Sequence, residues 1–330
     1  MFTLAETTIS DKLQGMVKSF YFDKICPRLP LIDPTSKAIR DEFTKTLKEK
    51  WSDINRFDIA YTADDLAAML AHSPYLQRLA LNHNNDISGN LQGRNYQQIE
   101  LARVAFIDEM ENADCDAAAM RAIRTWRERS ALAIALADIL GLHDMPTQML
   151  WLSQAAQTVL KQTVGYLFRR AANQTYIKFH AEDFTGCGWT LLALGKLGAD
   201  ELNFSSDVDL IALHDTKNAP FDRHDDVQPF FVKMTRDLIR LLSTATRDGI
   251  GWRVDLRLRP DPGATAVSID LNAAIGYYES IARTWERAAF IRARPIAGDL
   301  QLGNTFLDQI QPFIWRKALD YTVIDDMKAM

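Results

Sequence analysis

Apolar residues over the first 180 or so positions recur at intervals of three and four, the spacing of helices that bury one face. Within 117–142, Met120, Ile123, Trp126, Leu132 and Leu136 keep that spacing. Gly141 is placed to stop this helix, because a residue without Cβ readily takes the left-handed conformation that ends one. Pro146 suits the first turn of the next helix, which sets Met149, Leu152, Ala156, Val159, Leu160 and Leu167 on one face. Earlier, Thr62 and Asp65 precede Leu66, Met69 and Leu70 as a capping box would. The pattern changes near Cys187. The apolar run 189–194 predicts a strand, and Gly195-Lys196-Leu197-Gly198 a turn after it. A second strand is expected over 207–214, an amphipathic helix over 227–246, and a third strand with period-two alternation over 252–259. Helices are expected from Asp270 to the end, one of them carrying Trp285-Glu286-Arg287 with Arg292 and Arg294. The expected organisation is a mainly helical region over 1–180, a mixed helix-and-strand domain over 181–300, and the start of another helical region over 301–330.

Composition narrows the class. With 330 residues, 47% hydrophobic and 25% charged, the chain has the make-up of a soluble protein with room for two cores. A net charge of −5 argues against nucleic acid as the main partner, since a phosphate-tracking surface leaves a basic excess. Cys26, Cys115 and Cys187 are widely spaced and form no C-x-x-C pair, so neither a disulfide framework nor a zinc site is expected and a reducing, cytoplasmic setting fits. Glu6 interrupts any signal-like start. The longest apolar stretch, 131–142, contains Asp138 and is too short to span a bilayer, so no membrane association is expected.

The chemistry lies in the strands. Asp207 and Asp209, one residue apart in Ser205-Ser206-Asp207-Val208-Asp209, share one strand face about 7 Å apart at Cα. Two carboxylates so placed repel each other unless a cation or a basic neighbour neutralises them. Taken alone, the pair also describes a solvated strand edge. In 253–260, Val254, Leu256 and Leu258 point one way and Arg253, Asp255, Arg257 and Arg259 the other. Beside the first pair, Asp255 would complete three carboxylates, enough for two divalent ions, with arginines to hold phosphate oxygens. The glycine turn, Gly195 and Gly198 with Lys196 between them, lets backbone approach a phosphate closely, or simply makes a tight turn. It has neither Walker A nor dinucleotide-binding spacing. Ser205 and Ser206 are second-tier candidates for phosphate contact, capping being the commoner role. Glu286 and Arg287, in Trp285-Glu286-Arg287, could position a basic residue at the site but read at least as well as a surface ion pair beside a core tryptophan, and His214 reads as structural. Together, three acids, a glycine turn and arginines describe phosphoryl or nucleotidyl transfer.

Four segments in order, Gly195-Lys196-Leu197-Gly198, the run from Glu201 to Ile211, the run from Val254 to Pro260, and Trp285-Glu286-Arg287, closely resemble the glutamine synthetase adenylyltransferases. The resemblance is firm over 188–299 and less distinct over the helical N-terminal part and 312–316. It implies an α+β fold of the DNA polymerase β-like nucleotidyltransferase kind, with a short mixed sheet flanked by mainly helical regions. Family members have two similar halves, and Leu202-Asn203-Phe204 before the acids is more like the first, to which removal of AMP is assigned. The implied reaction is phosphorolysis: orthophosphate attacks the AMP–tyrosine ester of glutamine synthetase and releases ADP. Two magnesium ions would sit on Asp207, Asp209 and Asp255. Lys196, Arg257 and Arg259 are assigned to the nucleotide or attacking phosphate from face and charge alone. Glutamine synthetase and a PII-type signalling protein are the implied partners. The reverse reaction, with ATP as donor, and a non-catalytic nucleotide- or PII-binding module are the alternatives. Ala199 departs from the family by standing where a further glycine is common. The sequence stops at Met330 in what reads as mid-helix, so a piece of a longer protein is expected, the second half supplying adenylylation.

Overall fold

The computed structural model describes residues 34–50, 63–70, 73–172 and 184–315. They fall into two compact units, one made of the described residues up to Val104 with Glu128–Gln148, the other of Ala105–Arg127 with the described residues from Met149 on.

The first unit is helical. It holds α1 (Pro34–Lys50), α2 (Ala63–Leu70), α3 (Pro74–Asn82), α4 (Asn84–Leu91) and parts of α5 (Asn95–Glu111), α6 (Asp116–Ile139) and α7 (Met145–Ala172). Its core gathers Phe43, Leu47, Leu66, Leu70, Leu79, Ile87, Leu132 and Leu136. α3 begins as its sequence dictates: Pro74 needs no amide partner, and the Leu76 N–H donates to Ser73 Oγ at 3.3 Å. α6 stops at the expected glycine. Gly141 has φ +64, its N–H reaches Asp138 O at 2.9 Å, and the Leu142 N–H reaches Ala137 O at 2.9 Å. Thr62, the expected cap of α2, lies outside the described residues, as does Cys26.

The second unit is built on a five-stranded open mixed sheet: β1 (Trp189–Ala193), β2 (Val208–His214), β3 (Val254–Asp255), β4 (Ser268–Asp270) and β5 (Arg294–Gly298). β1 runs antiparallel to β2 and to β5. β3 and β4 both lie parallel to β2, β3 at its start and β4 at its end. A helical turn, α8 (Gly195–Gly198), follows β1, and α9 (Val227–Ser243) buries Val227, Phe231, Met234, Leu238, Leu241 and Leu242. Leu192, Leu194, Ile211 and Leu213 of the sheet region pack with residues of α10 (Leu271–Ser280), α11 (Thr284–Phe290), α12 (Leu300–Gln309) and α13 (Gln311–Ile314). The described chain is about 63% helical, and with this sheet it is an α+β fold of the nucleotidyltransferase kind. None of its described helices is long and apolar enough to cross a membrane.

Two sequence expectations are corrected. The third strand does not run over 252–259 but is only Val254–Asp255. The Asp255 carboxylate captures the Arg257 N–H at 2.7 Å, and the Arg259 N–H turns back to Leu256 O at 3.2 Å, so the alternation of charge continues through a bend rather than a strand. The region after Asp270 is not helical throughout, because β5 intervenes and carries Arg294 as a strand residue. The second strand starts at Val208, leaving Asp207 just ahead of it, and α9 ends at Ser243.

β3 is short, and helix α6 helps to fix its approach. The Arg124 side chain is buried and donates to Leu241 O, Thr244 O and Gly249 O, closing the end of α9 and the turn beyond. One turn on, Arg127 donates to Gly251 O at 2.6 Å and lies over the Trp252 ring, just before the strand.

Candidate active site

β2 is covered on both faces, and Asp209 is its one residue that is not buried. An apolar strand that keeps a carboxylate at such a position needs a reason for it. Asp209 stands in register with Asp255 on the parallel β3, and Val208 with Val254. Burial pushes the Asp209 carboxyl above the usual carboxylate range, and the charges of Asp255 and Asp207 push it further; Arg257 and Lys196 pull the other way. The three acids and two cations therefore act on one another at a single place. Asp255 is held below the usual range chiefly by Arg257, whose Nε donates to Oδ2 at 2.8 Å and Nη2 to the same oxygen at 2.5 Å. Arg257 itself is 83% exposed, so this partner of Asp255 faces solvent. Asp207 pairs with Arg253, which also donates to Ser205 O.

The glycine turn closes the other side. Gly195 has φ +54, and a Cβ there would lie 2.6 Å from Asp209 Oδ2. Any larger residue would meet both backbone strain and the carboxylate. The Leu194 N–H donates to Asp209 O at 2.9 Å, tying the turn to the strand. Lys196 is exposed. Behind the turn, Arg294 of β5 donates to Gly198 O at 2.9 Å and Leu197 O at 3.2 Å, and pairs with Asp200 at 2.5 Å. Asp200 has φ +60 and also accepts from Gln157 Nε2 at 2.7 Å. Ala199 has an ordinary right-handed backbone, φ −85, so this turn asks for no glycine there.

With this geometry in view, the glutamate-ammonia ligase adenylyltransferase family model matches residues 63–309. The chain belongs to that family. It is 39% identical over 311 residues to a protein of Rhizobium meliloti (strain 1021), covering 91% of this chain and 32% of that one. It is 46% identical over 228 residues to one of Xanthobacter autotrophicus, covering 66% and 23%. With one of Bartonella quintana it shares 33% identity over 325 residues, covering 96% and 33%. Each is named bifunctional glutamine synthetase adenylyltransferase/adenylyl-removing enzyme. The chain thus spans between 23% and 33% of the length of these relatives, in their N-terminal half.

Of the residues the family motifs singled out, Gly195, Lys196, Asp207, Asp209, Asp255 and Arg257 are brought into mutual influence. Ser205 is exposed beside Arg253, while Ser206 Oγ donates to Asn203 Oδ1 at 2.5 Å and shapes the turn before the acids. Arg259 turns away and donates to main-chain carbonyls. Glu286 and Arg287 engage groups other than the acids: Glu286 is buried, accepting from the Tyr277 hydroxyl at 3.0 Å, and Arg287 lies over the Phe313 ring. His214 is fully buried, shares a hydrogen bond with Ser268 Oγ, and is pushed down by burial, consistent with a structural role. Sequence reasoning gave Arg253 only a share in the charged row, not a pairing with Asp207, and did not foresee Arg294's grip on the turn. Arg253 was legible as part of the charged row, whereas nothing in the sequence marked Arg294's target. Among the described residues, no three carboxylate, imidazole or thiolate groups already close on one point as a metal cage; the outer two acids are turned to Arg253 and Arg257.

Proposed function

We propose that this chain removes AMP from an adenylylated tyrosine of glutamine synthetase by phosphorolysis, with orthophosphate as the nucleophile and ADP as the product. The observation that carries this reading is Asp209, which is not buried in an otherwise buried strand, stands in register with Asp255 and has its carboxylate where a Cβ on Gly195 would reach it. The donor set suits a hard divalent cation, since it offers only oxygen ligands whose charges oppose one another. Asp207, Asp209 and Asp255 would hold magnesium, with three carboxylates enough for two ions. When bound, magnesium neutralises the scissile phosphate and stabilises the oxygens that enter and leave. Arg257 and Arg253 are exposed ion-pair partners of two of these carboxylates, and once released they present guanidinium groups to phosphate oxygens. Lys196 adds a point charge, and the Gly195 turn lets backbone approach the transferred group. Catalysis then rests on positioning and charge rather than on a protein nucleophile.

The same carboxylates serve ATP-dependent adenylylation. The match to the N-terminal half of the relatives supports removal, the reaction that the family resemblance assigns to that half. A purely regulatory module that binds nucleotide or a PII-type protein has no need of three mutually repelling carboxylates. The test is to incubate the purified chain with adenylylated glutamine synthetase, magnesium and labelled orthophosphate. Labelled ADP, lost on chelation, is expected. AMP incorporation from ATP in its place would reverse the assignment, and neither product would leave the module.

A further inference from the structure

Arg259 lies in the motif row that the sequence offers to phosphate, yet its guanidinium serves the chain itself. Nη1 donates to Leu256 O at 2.9 Å, and Nη2 to Pro262 O at 2.8 Å and Thr265 O at 3.4 Å. Nε is buried, with no partner among the described residues. Both terminal nitrogens are thus engaged with carbonyls, and no edge of the fork is left to chelate a phosphate from solvent. These bonds turn 256–265 into an arch. Thr265 Oγ1 donates to Pro260 O at 2.5 Å and Asp261 O at 2.9 Å, and the Ala264 and Thr265 amides also donate to Asp261 O. Asp261 sits in the arch at φ +39, a conformation a non-glycine residue keeps only when its surroundings hold it. The Leu258 side chain packs the arch against the second unit's core. The arch begins at the residue after Asp255, and Leu256 O is the first carbonyl Arg259 takes. Asp255 has only a two-residue strand to hold it on the other side.

We propose that Arg259 is a positioning residue: by gathering the carbonyls of Leu256, Pro262 and Thr265 it sets the Asp255 carboxylate opposite Asp209, and it does not itself bind phosphate. This rests on the reading of Asp207, Asp209 and Asp255 as a divalent-metal site. Lysine has one compact ammonium and cannot span carbonyls from both ends of the arch. Arg259→Lys therefore keeps the charge and loses the brace.

The test is manganese binding to the purified chain, followed by the electron paramagnetic resonance signal of the free ion, beside the orthophosphate dependence of turnover. Arg259→Lys is expected to weaken manganese binding by about 10- to 100-fold, the range for loss of an outer partner of a metal ligand. The orthophosphate concentration for half-maximal rate, at saturating metal, stays unchanged. Leu79→Ala, in the core of the first unit, is destabilised without touching the arch and keeps wild-type manganese affinity. If Arg259→Lys fails to show a cooperative melt, Thr265→Val, which removes only the hydroxyl bonds to Pro260 O and Asp261 O, is expected to weaken manganese binding in the same direction. Wild-type manganese affinity with a raised orthophosphate requirement would overturn the brace and return Arg259 to the phosphate. No manganese binding by the unaltered chain would overturn the metal-site reading itself, and the brace with it.

Discussion

The glycine turn and the arch after Asp255 flank the same carboxylates and are built in opposite ways. The turn owes its shape to a missing side chain: Gly195 takes φ +54, where a Cβ would strike Asp209. The arch owes its shape to side chains that are present, with Arg259 and Thr265 gathering carbonyls around Asp261. Each has an arginine behind it: Arg259 gives its terminal donors to the main chain of the arch, and Arg294 divides its donors between the main chain of the turn and the Asp200 carboxylate. Arg257 shows the contrast within one motif. Two residues before Arg259, it is 83% exposed and bonded to a carboxylate. Equal charges in one row thus divide between an exposed partner of a carboxylate and a brace on main chain according to where the chain bends.

The largest expected effect comes from removing what the two walls share. Asp209→Asn and Asp255→Asn should each lower ADP release well beyond the roughly 10- to 100-fold that loss of an outer-shell partner costs; turnover near wild type in either variant would take that residue out of the site. Next is the turn itself. Gly195→Ala adds a Cβ 2.6 Å from Asp209 Oδ2 at a positive φ, so it should lose about 1–2 kcal/mol of stability and at least about tenfold in rate. Its neighbour gives the control: Ala199→Gly, at φ −85, should cost only about 0.5–1 kcal/mol and keep turnover. Thermal melts and rates on both variants separate a turn fixed by glycine at one position from one that needs glycine throughout. Arg294→Lys should leave the melt nearly unchanged and raise the half-saturating orthophosphate by about tenfold, as expected when the support behind a phosphate loop slackens. An unchanged orthophosphate requirement would mean that Asp200 and Gln157 hold the turn without it.

How much of this was legible follows the same division. The stop of α6 at Gly141 could be read because absence of Cβ has a local conformational meaning, and β2 because a buried apolar run interrupted by an acid is unusual in itself. The three acids and the glycine turn could be nominated from residue type in the same way, and the fold sets Asp209 in register with Asp255 and beside Gly195. β3 was overdrawn because charge alternates straight through the bend at Asp255, and only the capture of the Arg257 amide by that carboxylate ends the strand. β5 escaped notice because Arg294-Pro295-Ile296-Ala297-Gly298 has no alternation, and its pairing with β1 shifts register between Leu191 and Leu192. The targets of Arg259 and Arg294 depend on carbonyls that tertiary structure delivers, so residue type alone assigned the first to phosphate and left the second without a role.

The smallest expected effect bears on stability and runs against activity. Because Asp209's carboxyl is raised by burial and by Asp255 and Asp207, the folded chain holds its proton more tightly than the unfolded chain does. The stability from that proton is complete below the unfolded value of about 3.9 and is lost as pH rises through the raised folded value. At neutral pH wild type therefore carries an unfavourable charge that asparagine lacks, so Asp209→Asn should melt a few degrees higher at pH 7 while turning over no substrate. The advantage should shrink as pH falls through the raised folded value toward the unfolded one of about 3.9, as wild type regains its proton; Asp255, which Arg257 shifts the other way, is common to both chains. Magnesium should raise the melt of wild type at pH 7 and leave the asparagine variant where it was. A gap of the same size at pH 7 and pH 4 would mean that the carboxylates do not strain the fold, and that the register of Asp209 with Asp255 is kept for packing rather than for a cation.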